Sequence, residues 1–261
     1  MNDNTYVRTE IQDLIATVTI DRQAKLNALN PQVIAEIDAA FDGLGGDPAV
    51  RVVILTGAGD KAFVAGADIG VLATMGPRTG VAVSREGQEV LRRIERFPKP
   101  VVAAVGGYAL GGGCELAIAC HLRVASERAR FGLPEVGLGI IPGYGGTVRL
   151  ARLVGLGRAV EMVLTGDMVT AERAAEIGLA NLVVPHEDLM ERTRKLAGRI
   201  ARNAPVALEM ALKSMYEAVE SNMEHALELE STLFGLLAST DDMQEGMAAF
   251  LEKRRAAFKG E

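Results

Sequence analysis

The chain reads as an α/β protein that ends in a run of helices, and three patterns predict this. Short apolar runs at Leu14–Ile20, Val52–Leu55 and Val101–Val105 have the length and composition of buried strands. Apolar residues at helical spacing separate them, as in Val33, Ile34, Ile37, Phe41 and Leu44, or Val90, Leu91, Ile94 and Phe97. From His186 nearly to the end the pattern is helical, in four segments at about 187–202, 205–219, 222–238 and 240–256. A chain of 261 residues with 49% hydrophobic composition can close one large core, or a main domain with a smaller appendage.

Taken in order, Tyr6–Glu10 and Leu14–Ile20 pair as a hairpin turning at Gln12-Asp13. Pro31 opens a helix that Gly45-Gly46 closes. Thr56–Asp60 is a turn after the strand at 52–55, whereas residues 71–84 show no clear pattern because Gly76-Pro77 and Gly80 interrupt it. The helix that carries Val90 stops before Pro98 and Pro100. Val101–Val105 leads through a glycine turn into a helix from Cys114 onward. Val154–Val160 has a superficial dinucleotide-loop look, but Val160 stands at its third glycine position, so nucleotide binding there is rejected. Thr170-Ala171-Glu172-Arg173 is a capped helix start, and Leu182–Val184 the last short strand.

Composition removes several classes of function. A net charge of −6 and pI ≈ 5.3 argue against a nucleic-acid footprint. The richest basic stretch, Arg192, Arg194, Lys195, Arg199 and Arg202, is spaced as a solvated helix face. With 4% aromatics and no Trp, stacking platforms for single strands are scarce. The start, Met1-Asn2-Asp3-Asn4, is polar, which predicts no secretory signal. No charge-free apolar run reaches about 18 residues, which predicts no membrane span, and a cytoplasmic location is expected. The two cysteines, Cys114 and Cys120, have no Cys/His cluster around them. They are expected to be buried structural thiols, with neither a metal nor a disulfide.

The chemistry gathers between Val101 and Thr147. Residues 101–114 carry no charge, and Glu115 then arrives amid Leu116, Ala117, Ile118 and Ala119. A carboxylate in such a setting is costly unless it is paired, hydrogen-bonded or kept for chemistry. In the first turn of a helix it could serve as a cap for the dipole or as a catalytic group, and the stretch alone leaves both open. Twenty residues on, Phe131-Gly132-Leu133-Pro134-Glu135 places a second carboxylate ahead of the glycine-rich 136–147 segment. Two carboxylates that converge on one pocket can divide acid and base duties, though spacing does not make them converge.

Three motifs, Lys61-Ala62-Phe63-Val64-Ala65-Gly66-Ala67-Asp68-Ile69, Gly107-Tyr108-Ala109-Leu110-Gly111-Gly112-Gly113-Cys114-Glu115-Leu116, and Pro134-Glu135 with Ile141-Pro142-Gly143-Tyr144-Gly145-Gly146-Thr147, resemble the crotonase, or enoyl-CoA hydratase, family. The resemblance runs from about Val18 to the C-terminus, with the motifs in the family's order and spacing. It implies the crotonase fold, a spiral of ββα units with a C-terminal helical oligomerisation region. The chain then divides into a spiral core with the active site at 1–200 and a trimerising helical region at 201–261, with trimers paired into hexamers.

The resemblance also implies the reaction. Water adds across the 2,3 double bond of a 2-enoyl-CoA to give a 3-hydroxyacyl-CoA, reversibly, in fatty-acid or related acyl-CoA degradation. Coenzyme A enters as the substrate's thioester, and no separate cofactor is implied. Glu115 and Glu135 hold the water, Glu115 taking its proton and Glu135 delivering one to C2. The N–H groups of Ala67 and Gly112 form the oxyanion hole. Substrate contacts carry over onto Ala65, Asp68 and Ile69, and onto Lys25 and Ala28 in the Asp21–Leu29 segment near the adenine. Phe250 and Lys253 would reach the substrate from a neighbouring subunit. Leu72 and Met75 border the acyl pocket, and Gly70 stands where many relatives have a lysine. The rivals are an isomerase or another acyl-CoA lyase of the same fold and, of a different class, an RNA-binding relative. Isomerases of the family commonly keep one of the two acidic positions, so the presence of both favours hydration.

Overall fold

The computed structural model describes residues 5–261; residues 1–4, on which the expectation of no secretory signal rests, lie outside the described residues. The chain opens with a hairpin of β1 (Val7–Gln12) and β2 (Ile15–Ile20). Its turn is Asp13-Leu14, both at positive φ, one residue later than Gln12-Asp13, because Gln12 pairs with Ile15. Positive φ at both residues is what a type I′ two-residue hairpin loop requires. Helix α1 (Pro31–Gly45) has proline in its first turn and Asn30 capping the Val33 N–H.

Three strand pairs then follow, each ending in helix. They are β3 (Val52–Gly57) with β4 (Ala62–Ala65), β5 (Val101–Val105) with β6 (Tyr108–Leu110), and β7 (Leu122–Ser126) with β8 (Arg130–Gly132). Helices α2 (Ile69–Leu72) and α3 (Pro77–Glu95) follow the first pair and α4 (Gly112–Ala119) the second. After the third come α5 (Gly146–Val154) and α6 (Leu156–Thr165). In every pair the first strand joins one sheet, ordered β1-β2-β3-β5-β7 and closed by β10 (Leu182–Val184). The second strand joins another sheet, β4-β6-β8, edged by β9 (Val169–Thr170). This alternation winds the ββα units into a spiral. Both sheets are parallel except at the β1–β2 and β8–β9 edges.

The strands of the larger sheet are apolar throughout because both faces are covered. Val53, Leu55, Val101, Ala103 and Val105 enter the core shared with α1, α3 and α4. Their neighbours Val52, Ile54, Val102 and Ala104 face α8 (Leu189–Ala201), which follows α7 (Ala171–Glu176) and β10. Helix α4 is buried on every side, as its charge-free composition requires, apart from the one carboxylate it carries. At its C-terminal end the buried Arg123 guanidinium donates to the Cys120 carbonyl at 2.6 Å and the Leu179 carbonyl at 2.6 Å. That places a cation where the helix dipole favours one.

Gly76-Pro77 begins α3 instead of breaking a pattern: Gly76 is its N-cap and Pro77 its first residue. The last helices are α9 (Pro205–Glu220), α10 (Met223–Leu237) and α11 (Asp241–Leu251). The final one ends near Leu251, short of the expected 256, and Lys253 takes a positive φ just beyond it. Its first turn holds the tail, since the buried Asp242 carboxylate accepts the N–H groups of Lys259 and Gly260 at 2.7 and 2.8 Å. No helix among the described residues is long and apolar enough to cross a membrane.

Candidate active site

Glu115 stands in the first turn of α4 and is 2% exposed. Its Oε1 accepts two backbone N–H groups, from Tyr144 and Gly146, each at 2.7 Å. Glu135 lies in the short 3-10 turn Pro134–Leu138, 9% exposed, and its buried Oε2 has no hydrogen-bond partner. Gly111 couples the two elements. Its φ is +50°, and a Cβ there would stand 2.8 Å from Glu135 Oε1, so the first glycine of the triplet is required twice over.

Both carboxyl groups open onto one cleft of about 830 Å³. Burial pushes Glu115 up to about 7, the charge of Glu135 adds to that, and the two N–H donors pull the other way. Burial likewise raises Glu135 above the ordinary carboxylate range. Burial thus opposes ionisation of both groups, and the charge of Glu135 opposes that of Glu115 as well.

Two backbone donors adjoin these acids. Leu29 donates to the Gly66 carbonyl at 2.8 Å and accepts from the Asp68 N–H at 2.7 Å, so the ladder uses the residues on either side of Ala67. The N–H of Ala67 therefore lies on the opposite edge of its strand, and Ala67 lines the cleft. Gly112 opens α4, so its N–H belongs to the first turn that has no intrahelical acceptor, and it lines the same cleft.

Of the residues singled out from sequence, Ala65, Ala67, Ile69, Gly112, Glu115 and Glu135 line this cleft, together with Leu72 and Met75. Asp68 turns away from it. Its carboxylate pairs with Arg22 at 2.8 Å and caps the Gly70 N–H at 3.0 Å, and the Arg22 bond holds it below the ordinary range. Lys25 is exposed and Ala28 buried on the adjoining loop, which is pinned by the Ala65 N–H to the Leu26 carbonyl. Neither lines the cleft, and nor do the exposed Phe250 and Lys253 at the end of α11.

Several contributors escaped the sequence. The Tyr144 and Gly146 donors are main-chain groups, signalled only by the glycines around them. Ser84 and Gln88 of α3 bind the Gly143 carbonyl at 2.6 and 3.0 Å. Arg149 of α5 bonds the Tyr144 carbonyl at 2.7 Å and Glu95 at 3.0 Å, fastening the segment that holds Glu115. Cys114 and Cys120 are wholly buried, and burial drives both thiols up to about 12, so neither is a nucleophile. Among the described residues no group of three His, Cys, Asp or Glu side chains is placed to hold a metal.

The family model described as enoyl-CoA hydratase/isomerase matches residues 10–261. A crotonyl-CoA hydratase of Syntrophomonas wolfei is 45% identical over 249 residues, 95% of this chain and 96% of the relative. A short-chain-enoyl-CoA hydratase of Clostridium acetobutylicum is 46% identical over 246 residues, 94% of each chain. Among solved structures, an enoyl-CoA hydratase from Bacillus anthracis superposes with a TM-score of 0.95 at 37% identity, covering 98% of this chain and all of that one.

Proposed function

The chain belongs to the enoyl-CoA hydratase/isomerase family, and from that premise we propose that it is an enoyl-CoA hydratase acting in acyl-CoA degradation. The observation that carries the reading is the presence of two buried carboxyl groups, Glu115 and Glu135, on one cleft beside the Ala67 and Gly112 N–H groups.

The division of labour follows from their surroundings. Glu115 receives two N–H donors, which favour its anion; Glu135 has a buried oxygen with none, which favours the neutral acid. With the thioester oxygen against the Ala67 and Gly112 donors, C3 of the enoyl group faces the water held by the pair. Glu115 takes a proton from that water as its oxygen bonds to C3. The electron pair of the double bond moves through C2 toward the thioester oxygen, where the two donors stabilise the developing charge. Donors of this kind are worth about 10²–10³ in rate each. Glu135 then gives its proton to C2, and proton exchange between the two acids resets the site. The same path run backwards is dehydration.

A homotrimer, or two trimers paired, formed through the helices after residue 200 belongs to this proposal. Phe234 is 77% and Phe250 81% exposed, apolar surface that a neighbouring subunit would cover. Phe250 and Lys253 could then meet the coenzyme of an adjacent active site, and a cytoplasmic location suits the reading.

The test is the loss of conjugated-thioester absorbance when the protein meets crotonyl-CoA. Glu115→Gln and Glu135→Gln should each lower kcat by about 10²–10⁴ while the fold is kept. Near wild-type hydration by either folded variant sinks the proposal.

A further inference from the structure

The two donors that face the thioester oxygen are held by unequal means. Gly112 opens α4, which is buried on every side. Ala67 lies two residues beyond β4, in an isolated parallel bridge with Leu29, and the next residue, Asp68, already caps α2. Two main-chain bonds make that bridge, from the Leu29 N–H to Gly66 and from the Asp68 N–H to Leu29. The segment that supplies Leu29 leaves a loop in which Leu26 and Asn27 take φ of +51° and +59°. Two successive non-glycine residues stay in that region only where their surroundings impose it.

Arg22 supplies that constraint. Its main chain closes the loop: the Arg22 N–H donates to Asn27 Oδ1 at 2.9 Å, and the Arg22 carbonyl accepts the Asn27 N–H at 3.1 Å. Its side chain, 13% exposed and with its guanidinium 5.6 Å from the centre of the Tyr6 ring, reaches both sides of the bridge. One Nη donates to the Ala28 carbonyl at 3.1 Å, beside Leu29, and the other to Asp68 Oδ2 at 2.8 Å, beside Ala67. Asp68 Oδ1 accepts the Gly70 N–H at 3.0 Å, so the same carboxylate also fixes the start of α2. Charge-assisted bonds are the strong ones, and a planar guanidinium fork can serve two acceptors at once. The ion pair is neutral as a whole, so what it lends the site is geometry and not charge.

We infer that Arg22 is a positioning residue for the oxyanion hole, which through Asp68 and the Ala28 carbonyl holds the bridge that aims the Ala67 N–H at the thioester oxygen. The inference rests on the hydratase reading, in which that N–H receives the developing charge. Neither Arg22 nor Asp68 lines the cleft, so they act on the reaction only through the main chain they hold. A donor of this kind must be in place before the charge forms, and a shift on the order of 1 Å costs about 10²-fold in rate.

The experiment measures kcat and KM on crotonyl-CoA for Arg22→Met, Arg22→Lys, Asp68→Asn and the Arg22→Met/Asp68→Asn double variant, with urea midpoints to establish that each is folded. Isotope-difference infrared spectra also record the thioester C=O stretch of bound butyryl-CoA, labelled at that carbonyl, a saturated probe that cannot be hydrated. Hydrogen bonds to the oxygen lower this frequency. Arg22→Met should reduce kcat by about 10–10²-fold, short of the loss of a whole donor, while KM moves by less than about threefold. The C=O stretch should return part of the way toward its value in free butyryl-CoA. Arg22→Lys keeps the charge but not the fork and should recover only part of both. The double variant should be no worse than Arg22→Met, since the two residues serve one tie. A folded Arg22→Met with kcat within about threefold of wild type overturns the inference, as does a lowered kcat with an unchanged C=O stretch, which would assign Arg22 to the fold alone. If Arg22→Met does not fold, Asp68→Asn is judged by the same two readouts. A wild type that hydrates nothing, yet lowers the C=O stretch in a way that Arg22→Met abolishes, would refute the hydratase reading and leave the positioning role standing.

Discussion

The Gly146 N–H donates to Glu115 Oε1 at 2.7 Å, and a methyl group on Gly146 would stand 2.9 Å from that same oxygen. The carboxylate is therefore seated against bare backbone. Gly146→Ala is compatible with helix geometry but must push Glu115 off its seat. A misplacement on the order of 1 Å costs about 10²-fold in rate. Stopped-flow kcat on crotonyl-CoA should fall by that order with an unchanged circular dichroism spectrum.

The pH dependence of activity and of stability should run in opposite senses. Glu115 must be ionised to take a proton, and it titrates at about 7, so kcat/KM should fall on the acid side with a midpoint near that pH. For stability, the ordinary value of 4.5 applies to the unfolded chain and about 7 to the folded one, so the folded state binds the proton more tightly. Its contribution is fully present below 4.5 and is lost as pH rises through about 7. Glu115→Gln should accordingly unfold at higher urea than wild type at pH 8, by up to ~3 kcal/mol, and the gap should close toward pH 4.5. A variant less stable than wild type at pH 8 would contradict this.

The sequence made the reactive half of the site legible and hid its scaffolding, for physical reasons. Glu115 was conspicuous because a carboxylate interrupting a charge-free run violates the cost of burial. The strands β6 and β8 were invisible because three residues are too short to show a period. The start of α3 looks like a break in the sequence because Gly76-Pro77 and Gly80 are breakers in general, whereas proline in a first turn is permitted. Asp68, inside the quoted motif, spends its carboxylate on Arg22, a partner 46 positions away that no local pattern could indicate. The convergence of Glu115 and Glu135 depends on α4 and the Pro134–Leu138 turn closing over one cleft, a property of packing and not of spacing.

Cys114 and Cys120 should be silent in the native protein. Both are buried, and burial pushes their thiols up to about 12, so almost no thiolate exists at working pH. Dithionitrobenzoate at pH 8 should release no colour from the folded enzyme, and the full count of both thiols in guanidinium. Rapid native reaction accompanied by loss of hydration would restore a role for Cys114.

Arg149 should act as a positioning residue with an electrostatic signature. Its guanidinium bonds the Tyr144 carbonyl and Glu95, and its charge is one of the influences that hold Glu115 down. Arg149→Met removes both effects. Stability should drop by about 3 kcal/mol, the usual cost of breaking a largely buried pair from one side. The telling readout is the pH profile. Without the nearby cation Glu115 titrates higher, so the acid limb of kcat/KM should move to higher pH and much of the lost activity should return as pH is raised. Arg149→Lys keeps the charge but not the fork that spans two acceptors, so it should leave the limb in place while lowering the plateau. Equal loss for Arg149→Met at every pH would mean that the residue only braces α5, with no bearing on the charge of the base.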